Sequence, residues 1–255
     1  MKEVILRKED VNRGNLILIN KKYPIRIKED EIIRDLAIVN EKYMGHLLNK
    51  DVVKLLNRIL NKLDSKEQIV PVSGFRPRKE QIDLYDTSVK ENGLEFTRKF
   101  VARPDESEHQ SGLAIDLGEN KPDIDFICPD FPYYGIFNKF REEANKNGFI
   151  ERYKKGKEEI TGISQEPWHF RFVGFPHSVI IEENGYALEE YHEFIRKFDS
   201  IDNSYKFKNY CIFFVKSIGE MQSIFIEDDF EYDISGNNMD GFIITLYKYL
   251  GWFTL

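Results

Sequence analysis

Cysteine is nearly missing from this chain. Only Cys128 and Cys211 occur in 255 residues. Two thiols cannot build a disulfide framework, so a cross-linked secreted scaffold is excluded and a reducing compartment is expected. Long apolar runs are missing too. None approaches the ~20 residues of a membrane-spanning helix, so no membrane insertion is expected. The opening residues, MKEVILRKED, hold neither an apolar stretch nor a small-residue cleavage site of the kind a secretory leader needs. These absences together predict a cytoplasmic protein. Excess positive charge is also lacking. The formal net charge is -7, which leaves no basic footprint for nucleic acid. What is present is ordinary: 41% hydrophobic and 32% charged residues suit a folded globular chain, long enough for one full domain plus an extension. No repeats or low-complexity tracts interrupt it.

Histidine is scarce as well, and its placement is informative. Of the five histidines, His46, His177 and His192 have no ligand context and read as structural. The other two sit in short strings: Ser107-Glu108-His109-Gln110-Ser111-Gly112-Leu113-Ala114-Ile115-Asp116, and Glu166-Pro167-Trp168-His169. His109, His169 and Asp116 offer two imidazoles and one carboxylate to a divalent metal. Catalytic zinc takes three protein ligands and leaves the fourth position to water. Glu166, three residues before His169, is a spare carboxylate of the kind metal-assisted hydrolysis uses as a base. Two His and one carboxylate also make the facial triad of non-haem iron oxygenases. That rival class has a closer His–carboxylate spacing and no use for Glu166.

Local pattern places these residues. Leu113, Ile115 and Leu117 alternate with Ala114 and Asp116, which predicts a half-buried strand with Asp116 facing away from the aliphatic side. His109 is an odd number of residues upstream and would fall on the wrong face of an unbroken strand. A turn or bulge at Gln110-Ser111-Gly112 is therefore expected to swing it back. Residues 168–173 alternate too, with Trp168, Phe170 and Phe172 on one face and His169, Arg171 and Val173 on the other. Trp168 reads as packing that fixes its neighbours. Upstream, residues 69–75 read as a strand leading into Arg76, and Pro77 suits the first position of a following helix. Arg76 then stands at a strand end, where its planar fork fits a carboxylate or an oxyanion. Gln81, one turn into that helix, either faces the site or is solvated. Ser107 either hydrogen-bonds substrate or closes the turn.

The two strings, with Ser73-Gly74-Phe75-Arg76, resemble the zinc D,D-peptidases of the VanY, VanX and VanXY type. That family carries S-x-H-x-x-G-x-A-x-D, E-x-W-H and S-G-[YF]-R, and the likeness runs from about residue 16 to 198. The resemblance implies one zinc per chain on His109, Asp116 and His169. It implies Glu166 as general base and Arg76 as stabiliser of the tetrahedral intermediate, while Ser107 and Gln81 stay candidates for substrate contact on their position alone. It also implies hydrolysis of D-Ala-D-Ala dipeptide and of peptidoglycan precursors ending in D-Ala-D-Ala, contributing to glycopeptide (vancomycin) resistance. A cytoplasmic chain points to the VanXY type, which joins dipeptidase and carboxypeptidase activity. The remaining rival is a wall-fragment binding module that keeps the fold without catalysis.

The expected fold class is α+β, a mainly antiparallel sheet with flanking helices and a small β-rich C-terminal extension. Helices are predicted around Val52 to Leu63, from Pro77 to about Glu91 with Gly93 as a stop, across Phe137 to Ala144, and over 187–198. A short strand is predicted at 16–19. The expected division is a catalytic domain at 1–198 and an extension at 199–255. In the extension, residues 210–216, 223–226, 230–234 and 242–247 read as short strands, with turn chemistry at Ser235-Gly236-Asn237-Asn238. Residues 118–135 have neither helical nor strand period and contain Pro122, Pro129 and Pro132. Such a loop beside a metal ligand is either a lid or a plain surface excursion. Its acids Asp123, Asp125 and Asp130 either attract a substrate ammonium group or are simply solvated.

Overall fold

The computed structural model describes residues 1–41, 45–65 and 67–248. In chain order its elements are β1 (Lys2–Arg7), α1 (Glu29–Ile33), β2 (Leu36–Ile38), β3 (Leu47–Asn49), α2 (Lys50–Lys62), β4 (Ile69–Ser73), α3 (Arg78–Asn92), α4 (Leu94–Phe100), β5 (Ala114–Glu119), α5 (Gly135–Lys146), β6 (Phe149–Tyr153), α6 (Glu158–Thr161), β7 (Glu166–Phe172), α7 (His177–Glu183) and α8 (Leu188–Ile195). Five more strands close the chain: β8 (Tyr205–Phe207), β9 (Tyr210–Lys216), β10 (Met221–Ile226), β11 (Glu231–Gly236) and β12 (Gly241–Tyr247). The class is α+β with antiparallel sheets, as expected.

The chain forms two compact units. One is Ile19–Glu189; the other joins Met1–Leu18 to Glu190–Leu255. The division expected at 198/199 falls elsewhere in the structure. The reason is strand pairing: β1 runs antiparallel to β10, Lys2 opposite Ile226 and Arg7 opposite Met221. Lone strands leave their hydrogen-bonding groups unpaired, so the N-terminus is drawn to the C-terminal strands.

In the Ile19–Glu189 unit, the main sheet has the order β4-β5-β7-β6, all antiparallel. Pro71 is tolerated because β4 is an edge strand. The expected half-buried β5 is buried on both faces, Ala114 through Gly118. Register does the positioning. A shift between Pro71 and Ser73 sets Ser73 opposite Asp116, and Asp116 is opposite His169. Ser73, Asp116 and His169 thus lie in one row across three strands. A second irregularity lies between β6 and β7, where two steps from Glu151 to Tyr153 match four from Phe170 to Glu166. Such a bulge re-aims side chains, and it brings Glu166 to the His169 side despite their odd separation.

The opposite face of β7 makes the core. Phe170 packs edge-on against Phe140 of α5 and Phe131, with ring centroids 5.0 and 5.2 Å apart. Each such pair contributes about 0.5–1.5 kcal/mol beyond its buried area. Helix α2 begins at Asn49, whose side chain accepts from the Asp51 N–H at 3.0 Å. It buries Val52, Val53, Leu56, Ile59 and Leu60, while Leu55 and Leu63 are half-buried. Helix α3 stops at Gly93, whose φ of 83° favours glycine, and α4 follows at once.

In the other unit, β11-β12-β9-β8 form an antiparallel sheet around Leu6, Val11, Phe213, Ile226, Phe242, Ile244 and Leu246. The predicted turn lies between β11 and β12. There the Asn237 Oδ1 accepts from the N–H groups of Met239, Asp240 and Gly241, and Asn238 takes a left-handed φ of 60°. The apolar run at 16–19 is fully buried but joins no sheet, contrary to expectation. Its polar groups are satisfied otherwise: the Leu18 N–H donates to the Asn237 carbonyl, and the Leu18 carbonyl accepts from Asn238 Nδ2. Among the described residues no helix is long and apolar enough to cross a membrane.

Candidate metal centre

Asp116 comes from β5 and His169 from β7, while His109 arrives from a single tight helical turn, Glu108–Ser111. The turn closes on Gly112 at φ 71°, the swing expected at this point. The left-handed φ favours glycine there, and a Cβ would press on a Leu36 methyl at 2.8 Å. His109, Asp116 and His169 are all buried, with one potential donor atom each inside a span of 4.8 Å. His109 Nε2 is 3.1 Å from Asp116 Oδ2, and His169 Nδ1 is 2.9 Å from Asp116 Oδ1.

The donor chemistry fits a cation. His109 Nδ1 is 2.8 Å from the Gly74 carbonyl, which only accepts. Nδ1 must therefore carry the proton. Burial, together with the nearby Arg76 and His169, holds His109 below its ordinary pKa, against the pull of Asp116. A neutral His109 then turns a lone pair toward a carboxylate oxygen at 3.1 Å. Two acceptors at that distance call for a positive charge between them. Ligand bonds of about 2.0–2.2 Å to one ion place neighbouring donors roughly 3–3.5 Å apart, close to the contacts seen. Burial would raise the Asp116 carboxyl, but His109 and His169 hold it well below the usual carboxylate range. It is an anion available as a ligand.

His169 is oriented from behind. Its Nε2 lies 3.4 Å from Glu108 Oε2, leaving Nδ1 toward Asp116. Burial opposes a charge on His169, yet its bonds to Asp116 and Glu108 push its pKa up to about 10. The Tyr153 ring lies 4.9 Å from the His169 ring and walls its side. Glu108 is itself fully buried, held by Arg152 Nε at 2.9 Å and by Arg171 at 2.8 Å. Arg152 in turn grips Glu189 through both terminal nitrogens, at 2.9 and 2.7 Å. Sequence reading missed Glu108, Arg152, Tyr153 and Glu189 as site residues. Arg171 had a signal, since alternation already put it beside His169. Glu108 had none beyond its place between Ser107 and His109.

Glu166 is buried with Oε2 3.8 Å from His169 Nδ1. Burial raises its pKa well above the ordinary value, with the Asp116 and Glu108 charges adding to the rise and His169 and Arg76 opposing it. Arg76, Ser107 and Glu166 line the same pocket as His109, Asp116 and His169. The buried Arg76 donates to Gln81 Oε1 at 2.9 Å and to Ser73 Oγ at 2.7 Å, and its backbone N–H donates to the His109 carbonyl at 3.1 Å. Gln81 is fully buried behind Arg76, with its amide nitrogen given to the Ala102 carbonyl at 2.7 Å. The structure thus makes it a support for Arg76, neither solvated nor on the pocket wall. Ser107 closes the turn through its carbonyl, which accepts from the Gln110 N–H, and its hydroxyl makes no capping bond.

The 118–135 segment reaches this pocket. Gly118 and Glu119 belong to β5, so the irregular stretch starts two residues later, at Asn120. Phe126 and Ile127 line the pocket, and the Phe126 ring centre is 5.8 Å from the Arg76 guanidinium carbon. The loop acids do not line it. Asp125 accepts from the N–H groups of Ile127 and Cys128, and Asp130 pairs with Lys121 at 2.9 Å.

Comparison with known proteins supplies an independent finding. Residues 45–175 match the family described as VanY, D-alanyl-D-alanine carboxypeptidase. The chain is 43% identical over 183 residues to the bifunctional D-Ala-D-Ala dipeptidase and carboxypeptidase VanXYC of Enterococcus gallinarum, covering 71% of this chain and 95% of that protein. It superposes with a TM-score of 0.93 on the vancomycin resistance D,D-dipeptidase VanXYg in complex with a D-Ala-D-Ala phosphinate analogue, at 48% identity, over 97% of this chain and 99% of that one. With a point mutant of the vancomycin resistance D,D-pentapeptidase VanY in complex with Zn(II), the TM-score is 0.58 and the identity 29%, over 70% and 98% of the two chains.

Proposed function

The chain belongs to the VanY family of D-alanyl-D-alanine carboxypeptidases, and from that membership we propose how its site works. It is a zinc-dependent D,D-peptidase that hydrolyses free D-Ala-D-Ala and removes the terminal D-Ala of peptidoglycan precursors, as in glycopeptide resistance. His109, Asp116 and His169 hold one zinc per chain. When bound, zinc supplies Lewis-acid polarisation of the scissile carbonyl and makes water a nucleophile near neutral pH. Glu166 takes the proton of the attacking water and returns it to the leaving amine of D-alanine. Burial raises its pKa, which makes the ionised carboxylate a stronger base toward the attacking water. Arg76, fixed by Gln81 and Ser73, presents positive charge where the oxyanion develops. The Ser107 hydroxyl is free of the turn and contacts substrate. The protein acts in the cytoplasm, where both substrates are soluble.

The observation that carries this reading is the position of Glu166. A buried carboxylate 3.8 Å from a ligand nitrogen, on a pocket shared with a buried Arg76, serves hydrolysis. An iron oxygenase has no role for either residue, and neither has a non-catalytic binding module. The test is D-alanine release from D-Ala-D-Ala and from an N-acylated pentapeptide ending in D-Ala-D-Ala. Release should vanish with a chelator and return with zinc. Iron dependence with consumption of a 2-oxoacid, or no turnover with any metal, would overturn the reading.

A further inference from the structure

All groups in this argument lie within the Ile19–Glu189 unit. Four wall residues of the metal pocket, Val101, Ala102, Tyr153 and Ile163, also line a second cavity of about 420 Å³. The two cavities therefore adjoin, and Tyr153 against His169 stands at their common rim. The metal pocket itself is small, about 40 Å³, and accounts for little beyond the residues around a scissile bond.

The charge of the second cavity runs against that of the chain. The protein is net negative at -7, yet the charged side chains here are Lys21, Arg98 and Arg103 against the single carboxylate of Glu106. Arg103 has Tyr85 and Glu106 as neighbours, and both favour its charged form. Arg98, in the last turn of α4, and Lys21 take part in no ion pair among the described residues. Cations left without partners in a concave surface focus potential and attract anions.

A free dipeptide has no residues upstream of the one that carries its scissile carbonyl. A longer peptide must run on past the rim of the metal pocket, and the adjoining cavity is the room available. We propose that this cationic cavity is a binding subsite for carboxylate groups on the upstream part of longer peptide substrates. The proposal rests on the D,D-peptidase reading of the metal site. It gives the enzyme a way to favour long substrates by contacts that a dipeptide cannot make.

The test uses two pentapeptides ending in D-Ala-D-Ala, one with two Glu upstream and the other with two Gln, and free D-Ala-D-Ala as comparator. Arg98 and Arg103 are exposed, so Arg98→Glu/Arg103→Glu should fold. Losing two exposed attractions and gaining two repulsions should raise KM for the Glu peptide roughly tenfold. The Gln peptide should change by less than about twofold, so the ratio of the two kcat/KM values falls about as much. The wild-type preference for Glu should shrink in high salt. Equal responses of the Glu and Gln peptides, or no response of either, would overturn the subsite alone. Wild-type protein that releases no D-alanine from any of the three would overturn the metal-site reading and the subsite with it.

Discussion

Glu108 Oε2 stands 3.4 Å from His169 Nε2, on the far side of the imidazole from Asp116. The carboxylate is fully buried and owes its negative charge to Arg152 and Arg171. Burial alone would raise its pKa; the two guanidinium groups hold it well below the usual carboxylate range. A charged acceptor at that point fixes which His169 nitrogen is free to bind metal. Outer partners of this kind typically change metal affinity by about 10–100-fold. Glu108→Gln should weaken zinc binding by that amount in chelator competition, performed on protein whose circular dichroism is unchanged. Unfolding in urea should also show a loss of about 3–5 kcal/mol, since two buried arginines lose their counter-charge. Wild-type zinc affinity would remove Glu108 from this role.

Glu166 is assigned to proton transfer and the other three residues to the metal. Glu166→Ala should keep stoichiometric zinc and lose about 10²–10⁴-fold in kcat. His109→Ala, Asp116→Ala and His169→Ala should each lose zinc, because two protein ligands remain. Metal analysis after dialysis separates the groups. A Glu166 variant that loses metal, or a ligand variant that keeps it tightly, would break the assignment.

Arg76→Lys retains charge but loses the fork that reaches Gln81 and Ser73 together. If Arg76 serves the oxyanion, kcat should fall and KM should stay near wild type; a role in holding the substrate carboxylate would raise KM instead. Steady-state kinetics on D-Ala-D-Ala decides between them. Unchanged values of both would take Arg76 out of the site.

Metal removal should expose a pH dependence of stability. In the metal-free protein His169 is pushed up to about 10 from an ordinary 6.5. A raised folded pKa gives stability that is complete below the unfolded value and is lost as pH rises through the folded one. Glu166, also raised, acts in the same direction above its own unfolded value. Metal-free protein should therefore lose thermal stability between about pH 6.5 and 10, while zinc-loaded protein, whose His169 Nδ1 is occupied by metal, should show a flatter profile. Parallel melting curves across that window would contradict the arrangement.

The sequence by itself determined which residues are candidates for the metal, the spare carboxylate beside them and the nature of the elements that carry them. His109, Asp116, Glu166 and His169 were legible because metal chemistry admits few residue types, and period-2 alternation shows which of them share a strand face. Gly112 was legible because only a turn could undo an odd spacing. The hairpin at Asn237-Asn238 was legible from local turn chemistry. Tertiary structure decided the rest. That Ser73, Asp116 and His169 form one row depends on the register of three strands, which no single strand encodes. That Glu166 turns toward His169 depends on a bulge opposite β6. Glu108 takes its meaning from Arg152 and Arg171, which lie 44 and 63 residues away along the chain and meet it only in the folded core. The pairing of β1 with β10 joins opposite ends of the chain for the same reason: an unpaired strand edge finds its partner by space, not by sequence distance.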